Sequence, residues 1–153
     1  MKILHLTDLH FTNDIGNRTK QQKLIQNLVK DLQENISEVD FVIFSGDIVN
    51  NGSSLKDFEI VQEVFLEKVL QTLQVPKSNF FICPGNHDVD RSLVSNSVVK
   101  YLDESIKTND NLDNFFRSPN PDLETSHKPL NNYRIFLKNF YGQEIVKTDV
   151  SYP

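Results

Sequence analysis

Three short apolar runs, each stopping at a polar cluster and set one β-α unit apart, constrain this chain more than any other feature. Ile3–Leu6 ends at Thr7-Asp8, Phe41–Phe44 ends at Ser45-Gly46-Asp47, and residues 80–83 end at Pro84-Gly85-Asn86. Asp8 and Asp47 are 39 residues apart, as are Asp47 and Asn86. Unbroken apolar runs of this length suit strands buried on both faces of a parallel sheet.

The intervals between the runs carry helical periodicity. In 20–36, Leu24, Ile25, Leu28, Val29, Leu32 and Ile36 share one face; in 55–73, Phe58, Val61, Val64, Phe65, Val69 and Leu73 do so. Ser54 stands where a capping residue would open the second helix. The order is therefore βαβαβ, with right-handed connections, and the fold class α/β with a layered parallel sheet. Beyond Asp88 the pattern changes. Residues 89–107 read as a helix with Val94, Val98, Tyr101, Leu102 and Ile106 on one face. Residues 108–125, with Pro119 and Pro121, read as a loop. Residues 129–141 read as a helix with Leu130, Tyr133, Phe136, Leu137 and Phe140 inward and Gly142 as its stop. The last dozen residues show no clear pattern. The expected organisation is one partial domain over 1–153: a core over 1–91 and a helix-loop-helix extension over 92–153.

Leu, Ile, Val and Phe make up 52 of the 153 residues, which excludes a disordered chain. The single cysteine, Cys83, excludes an intrachain disulfide and a Cys-rich zinc knuckle; at the end of an apolar run it reads as a small core hydrophobe. No apolar run reaches the ~18 residues of a membrane span, and the opening residues do not form a signal peptide. The expectation is a cytoplasmic protein without a membrane partner. A net charge of −5 leaves no global basic field for gripping nucleic acid. It does not exclude a phosphate substrate, because bound cations can supply positive charge locally.

Parallel strands place their carboxyl ends on one edge of the sheet, where open α/β folds bind ligands. Asp8, His10, Asp47, Asn86, His87 and Asp88 should converge there. A mixture of oxygen and nitrogen donors without thiolate suits manganese, iron, zinc or nickel. Gly46, Gly52 and Gly85 lie inside the same clusters. Asn50 and Asn51 read as turn residues, and Asp88 as a residue that holds the loop or orients His87. The aromatic set Phe115, Phe116, Phe136 and Phe140 reads as core.

Asp8-x-His10, Gly46-Asp47-x-x-x-x-Gly52 and Gly85-Asn86-His87-Asp88, in that order, resemble the calcineurin-like metallophosphoesterase family, closely from Ile3 to about Arg91. The resemblance implies a two-metal hydrolase of phosphomonoesters and phosphodiesters. By it, Asp8 and His10 bind the first metal, Asp47 bridges both, and Asn86 binds the second. His87 is catalytic, a proton donor or charge stabiliser near the leaving oxygen. A hydroxide held between the ions attacks phosphorus in line. The cofactors are two divalent or trivalent ions, manganese first, with iron, zinc or nickel as alternatives.

The family's later motifs, a histidine after a fourth core strand and a Gly-His-x-His element, are not in this sequence. His5 lies within the first run, and no apolar strand precedes His127. The resemblance then implies the amino-terminal half of a longer phosphoesterase, holding at most one ion and turning over little by itself. Its partners would be a phosphate-ester substrate and the missing carboxy-terminal half or further domains. The expected activity is that of a phosphodiesterase. The alternatives are a nuclease, with nucleic acid an open question, and a non-catalytic scaffold or regulatory module retaining half a metal site. An unfinished sheet also has an edge through which two copies could pair.

Overall fold

The computed structural model describes residues 1–117 and 125–142. The core is a three-stranded parallel sheet in the order β1 (Ile3–Leu6), β2 (Phe41–Phe44), β3 (Phe80–Ile82). Leu4 pairs with Val42, and Val42 with Phe80. The α/β class and the three strands agree with the sequence reading; β3 stops one residue early, although the Cys83 amide still donates to Phe44 O at 3.0 Å.

Helix α1 (Ile15–Asn35) joins β1 to β2 and begins five residues before the expected start. It buries Ile25 and Leu32, whereas Leu24 is exposed. The second connection is α2 (Leu55–Val61), a π-helical turn over Gln62–Leu66, and α3 (Glu67–Leu73). Ser54 caps it as expected, its hydroxyl accepting from the Asp57 amide at 3.2 Å. The π turn inserts one residue into the helical count. It rotates the apolar face, so Leu66 and Leu70 are buried where a uniform helix would place Val64 and Leu73.

Beyond β3, α4 (Asn96–Ser105) occupies part of the expected helix and buries no residue. The loop expected over 108–125 is corrected: Asn109–Arg117 forms helix α5, opened by Thr108, whose hydroxyl accepts from the Asn111 amide. Pro119, Pro121 and residues 143–153 lie outside the described residues, as do the side chains of Phe115 and Phe116. Helix α6 (Asn131–Tyr141) ends at Gly142, whose φ of 84° is the left-handed stop expected of it.

One face of the sheet and the helices make the core. Phe44, Phe58, Phe65, Phe80, Phe136 and Phe140 are all essentially inaccessible. Phe58 stacks on Phe136 at 5.2 Å, and Phe80 meets Phe140 edge-on at 5.7 Å. Helix α6 also reaches the outer edge of β3. Tyr133 donates its hydroxyl to Ile82 O at 3.0 Å, and Tyr141 donates to Phe80 O at 2.5 Å. Burial pushes both phenols up, that of Tyr141 to about 12.

The opposite face corrects the expectation of strands covered on both sides. Ile3 is 47% and Phe81 49% exposed, and His5 and Cys83 on the same face are exposed too. Cys83 is therefore not a core residue. Apolar side chains pointing both ways from a strand state that two faces want cover; they do not state that both receive it.

Candidate metal centre

The polar clusters sit at the carboxyl edge of the sheet, and the backbone there is both strained and tied down. Only four non-glycine residues have positive φ among those described, and three of them are Asp8 (58°), His10 (47°) and Asp47 (55°). Side chains crowd the backbone in this region, at a cost of about 1–2 kcal/mol for an L-residue. Such strain clusters at functional sites. The kinks do not loosen the chain. The amides of Asp8, His10 and Phe11 donate to Gly46 O, Asp47 O and Ile48 O at 3.1, 2.9 and 2.8 Å. Strand pairing thus resumes at Phe11 and Val49. Phe11, Ile48 and Val49 are buried beneath the site.

The side chains that result face one another. His10, Asp47 and His87 each present a donor atom within 4.8 Å of the others, all half-buried. Asp8 joins through His10, its Oδ1 lying 3.5 Å from His10 Nε2. Asn86 occupies the exposed tip of the turn before His87. The tightest trio therefore includes His87, to which the resemblance gives the proton, and leaves out Asp8, to which it gives a metal. His5 bonds instead to Ser45 Oγ at 2.6 Å, and His127 is not part of this group.

His87 is held at three points. Its backbone amide donates to Asp47 Oδ1 at 2.8 Å, its ring packs edge-on against His10 at 4.6 Å, and its Nδ1 meets Asn50 O at 2.9 Å. A carbonyl only accepts, so that last bond requires the proton on Nδ1 and leaves Nε2 for the site. Beside His87 a groove of about 380 Å³ runs between Asn50, Asn51, Ser53, Arg91 and Ser92.

Two supports were not readable as such from the sequence. Gln21 of α1 donates to His10 O at 2.8 Å and accepts from the Thr12 amide at 2.9 Å, pinning the segment after Asp8. Nothing in local sequence distinguishes Gln21 from a solvent-facing helix residue. Asn132 of α6 donates to Gly52 O at 2.9 Å and to Ser53 O at 3.1 Å, anchoring the groove's far wall from 80 residues away. Asp88 is fully buried. Burial pushes its carboxyl above the usual range, against the opposing pull of the amides of Gly85, Val49, Ile48 and Asp47. The glycines are needed where the turns touch: Gly46 has φ 112°, and a Cβ there would lie 2.8 Å from Gly85 Cα.

Comparison with known proteins identifies the family. The profile of the calcineurin-like phosphoesterase family matches residues 1–150, well past the stretch in which the motifs lie. An uncharacterized metallophosphoesterase-like protein, YydB of Bacillus subtilis (strain 168), is 24% identical over 145 residues. That alignment covers 94% of this chain but 29% of the relative, so the chain spans less than a third of the relative's length.

Proposed function

Because the chain belongs to the calcineurin-like phosphoesterase family, we propose that its strand-tip cluster is the amino-terminal part of a metal centre that hydrolyses phosphate esters, phosphodiesters being the class to test first. The observation that carries this reading is the trio His10, Asp47 and His87, three donors within 4.8 Å at the ends of β1, β2 and β3. The fit to a metal rests on chemistry as well as distance. Carboxylate and imidazole donors suit divalent ions such as manganese, iron or zinc. The positive φ at Asp8, His10 and Asp47 is a cost that the sheet alone gives no reason to bear.

Asp8, His10 and Asp47 would hold one ion, and Asp47 and Asn86 a second. When bound, the ions supply Lewis-acid polarisation of the phosphoryl oxygens and an activated water. The chain's own residues do the rest. Asn50 O fixes the His87 ring through Nδ1, so protonated His87 presents Nε2–H. As the bond from phosphorus to the leaving oxygen breaks, that proton passes from Nε2 to the oxygen. The groove beside His87, lined by Asn50, Asn51, Ser53, Val89, Asp90, Arg91 and Ser92, receives the leaving group. The full activity belongs to the protein that contains the rest of the centre; the 153 residues alone hold at most one ion.

One observation favours a second role for His87: its donor atom is as close to Asp47 and His10 as a ligand would be. Calorimetry with manganese separates the two. His87→Ala should leave manganese affinity unchanged in this chain and slow bis-p-nitrophenyl phosphate hydrolysis by ~10²–10⁴ in the longer protein, the range for a general acid. Loss of manganese binding in His87→Ala makes His87 a ligand. No manganese binding by the unaltered chain counts against the metal reading.

A further inference from the structure

We infer that Asp88 is the positioning residue of this centre: its buried carboxylate sets the separation between the turn that carries Asp47 and the turn that carries Asn86 and His87. The inference rests on the metal reading above. Asp88 and Asp90 are the only buried polar or charged residues among those described, and Asp88 is wholly inaccessible. Its two oxygens face different turns. Oδ1 accepts from the Val49 amide at 3.0 Å, and Oδ2 accepts from the Gly85 amide at 2.8 Å. Exclusion of water strengthens hydrogen bonds of this kind, and a buried amide that loses its acceptor is left unsatisfied.

The bridge has little slack. On one side the turns touch backbone to backbone, at Gly46 and Gly85. On the other side Asp88 closes the joint. Across the same joint the His87 amide donates to Asp47 Oδ1, so a shift of either turn moves a proposed metal donor. Among the described residues Asp88 has no cationic partner, and its bonds are to main-chain amides. Its role is thus exerted through the turns and not by contact with an ion.

Asp88→Asn tests this. The amide can accept one of the two N–H groups, but its own NH₂ then faces the other. Amide hydrogen exchange, followed by NMR in chelator, should speed up at Val49, Gly85 and His87 by about tenfold, the loss expected when a buried hydrogen bond goes. Val42 and Phe44 in β2 should keep their protection. Manganese affinity should fall by ~10–100-fold, as for other groups that support a ligand from behind. Val75→Ala is the control, because Val75 is buried before β3 at the opposite edge of the sheet; at a matched loss of melting temperature it should leave manganese affinity unchanged. Uniform loss of protection, or wild-type manganese affinity in Asp88→Asn, overturns the inference. If Asp88→Asn fails to fold, the unaltered chain still decides: unprotected exchange at Val49 and Gly85 would mean that no clamp exists. Should the unaltered chain bind no manganese, the metal reading fails while the exchange pattern still judges the clamp.

Discussion

The strain at His10 can be measured by comparing two substitutions that remove the same side chain. In His10→Gly and His10→Ala the imidazole is gone, and with it the 3.5 Å contact to Asp8 and the ring contact to His87. The main-chain bonds from His10 N to Asp47 O and from Gln21 to His10 O are available to both variants. The two therefore differ in how they tolerate a φ of 47°. Alanine bears the left-handed cost of about 1–2 kcal/mol, whereas glycine bears a backbone entropy cost of about 0.5–1 kcal/mol. Glycine should win by about 1 kcal/mol. Lys23 in the middle of α1 is the control; there alanine should win over glycine by about 1 kcal/mol. For a domain of this size 1 kcal/mol corresponds to about 2–4 °C in melting temperature. Differential scanning calorimetry in chelator resolves such a gap. If His10→Ala melts at or above His10→Gly, the backbone at His10 is not strained, and the argument that the sheet pays a conformational cost to aim its donors fails.

Three further outcomes follow from the packing. Gly85→Ala directs a methyl group at Asp47, both its main-chain nitrogen and its carboxylate; overpacking of this kind costs about 1–3 kcal/mol and should weaken manganese binding in calorimetry, and an unchanged affinity would contradict the close approach of the two turns. Phe136→Ala removes a 1%-exposed ring stacked on Phe58 and should lower stability by about 3–5 kcal/mol in urea titration; a loss below about 1 kcal/mol would mean that α6 is not part of the core. The folded Tyr141 phenol titrates near 12 against 10.0 for the free group, and that of Tyr133 is raised too, in both cases chiefly by burial. Their contribution to stability is complete below pH 10 and declines above it, that of Tyr141 as the pH rises through about 12 and that of Tyr133 at higher pH still. Phenolate absorbance should show two tyrosines ionising late and together with unfolding, and independent titration of all four near pH 10 would show that the two rings are not buried.

Much of the fold was legible because each signal is local. The runs at Ile3–Leu6 and Phe41–Phe44 are strands end to end, and a strand's carboxyl end must lie where the next polar cluster begins. That is enough to bring Asp8, His10, Asp47 and His87 to one edge before any distance is known. What escaped the sequence depends on partners distant in the chain. The exposure of Ile3, Phe81 and Cys83 reflects what packs on a face, and alternation within a strand carries no such information. The π turn at Gln62–Leu66 shifts the burial from Val64 to Leu66 without an apolar residue being out of place. Helix α5 lay hidden under a polar composition, although Thr108 is a recognisable cap. Gln21 and Asn132 act on main-chain carbonyls far away in sequence, and no spacing rule points to them.

The two tyrosine hydroxyls on Phe80 O and Ile82 O give the sheet a direction of growth. A strand seeking to add beside β3 must first evict both phenols, at about 0.5–1.5 kcal/mol for each hydrogen bond lost. Addition beside β1 displaces neither. Helix α6 thus works as a stopper on the flank of the sheet where β3 lies.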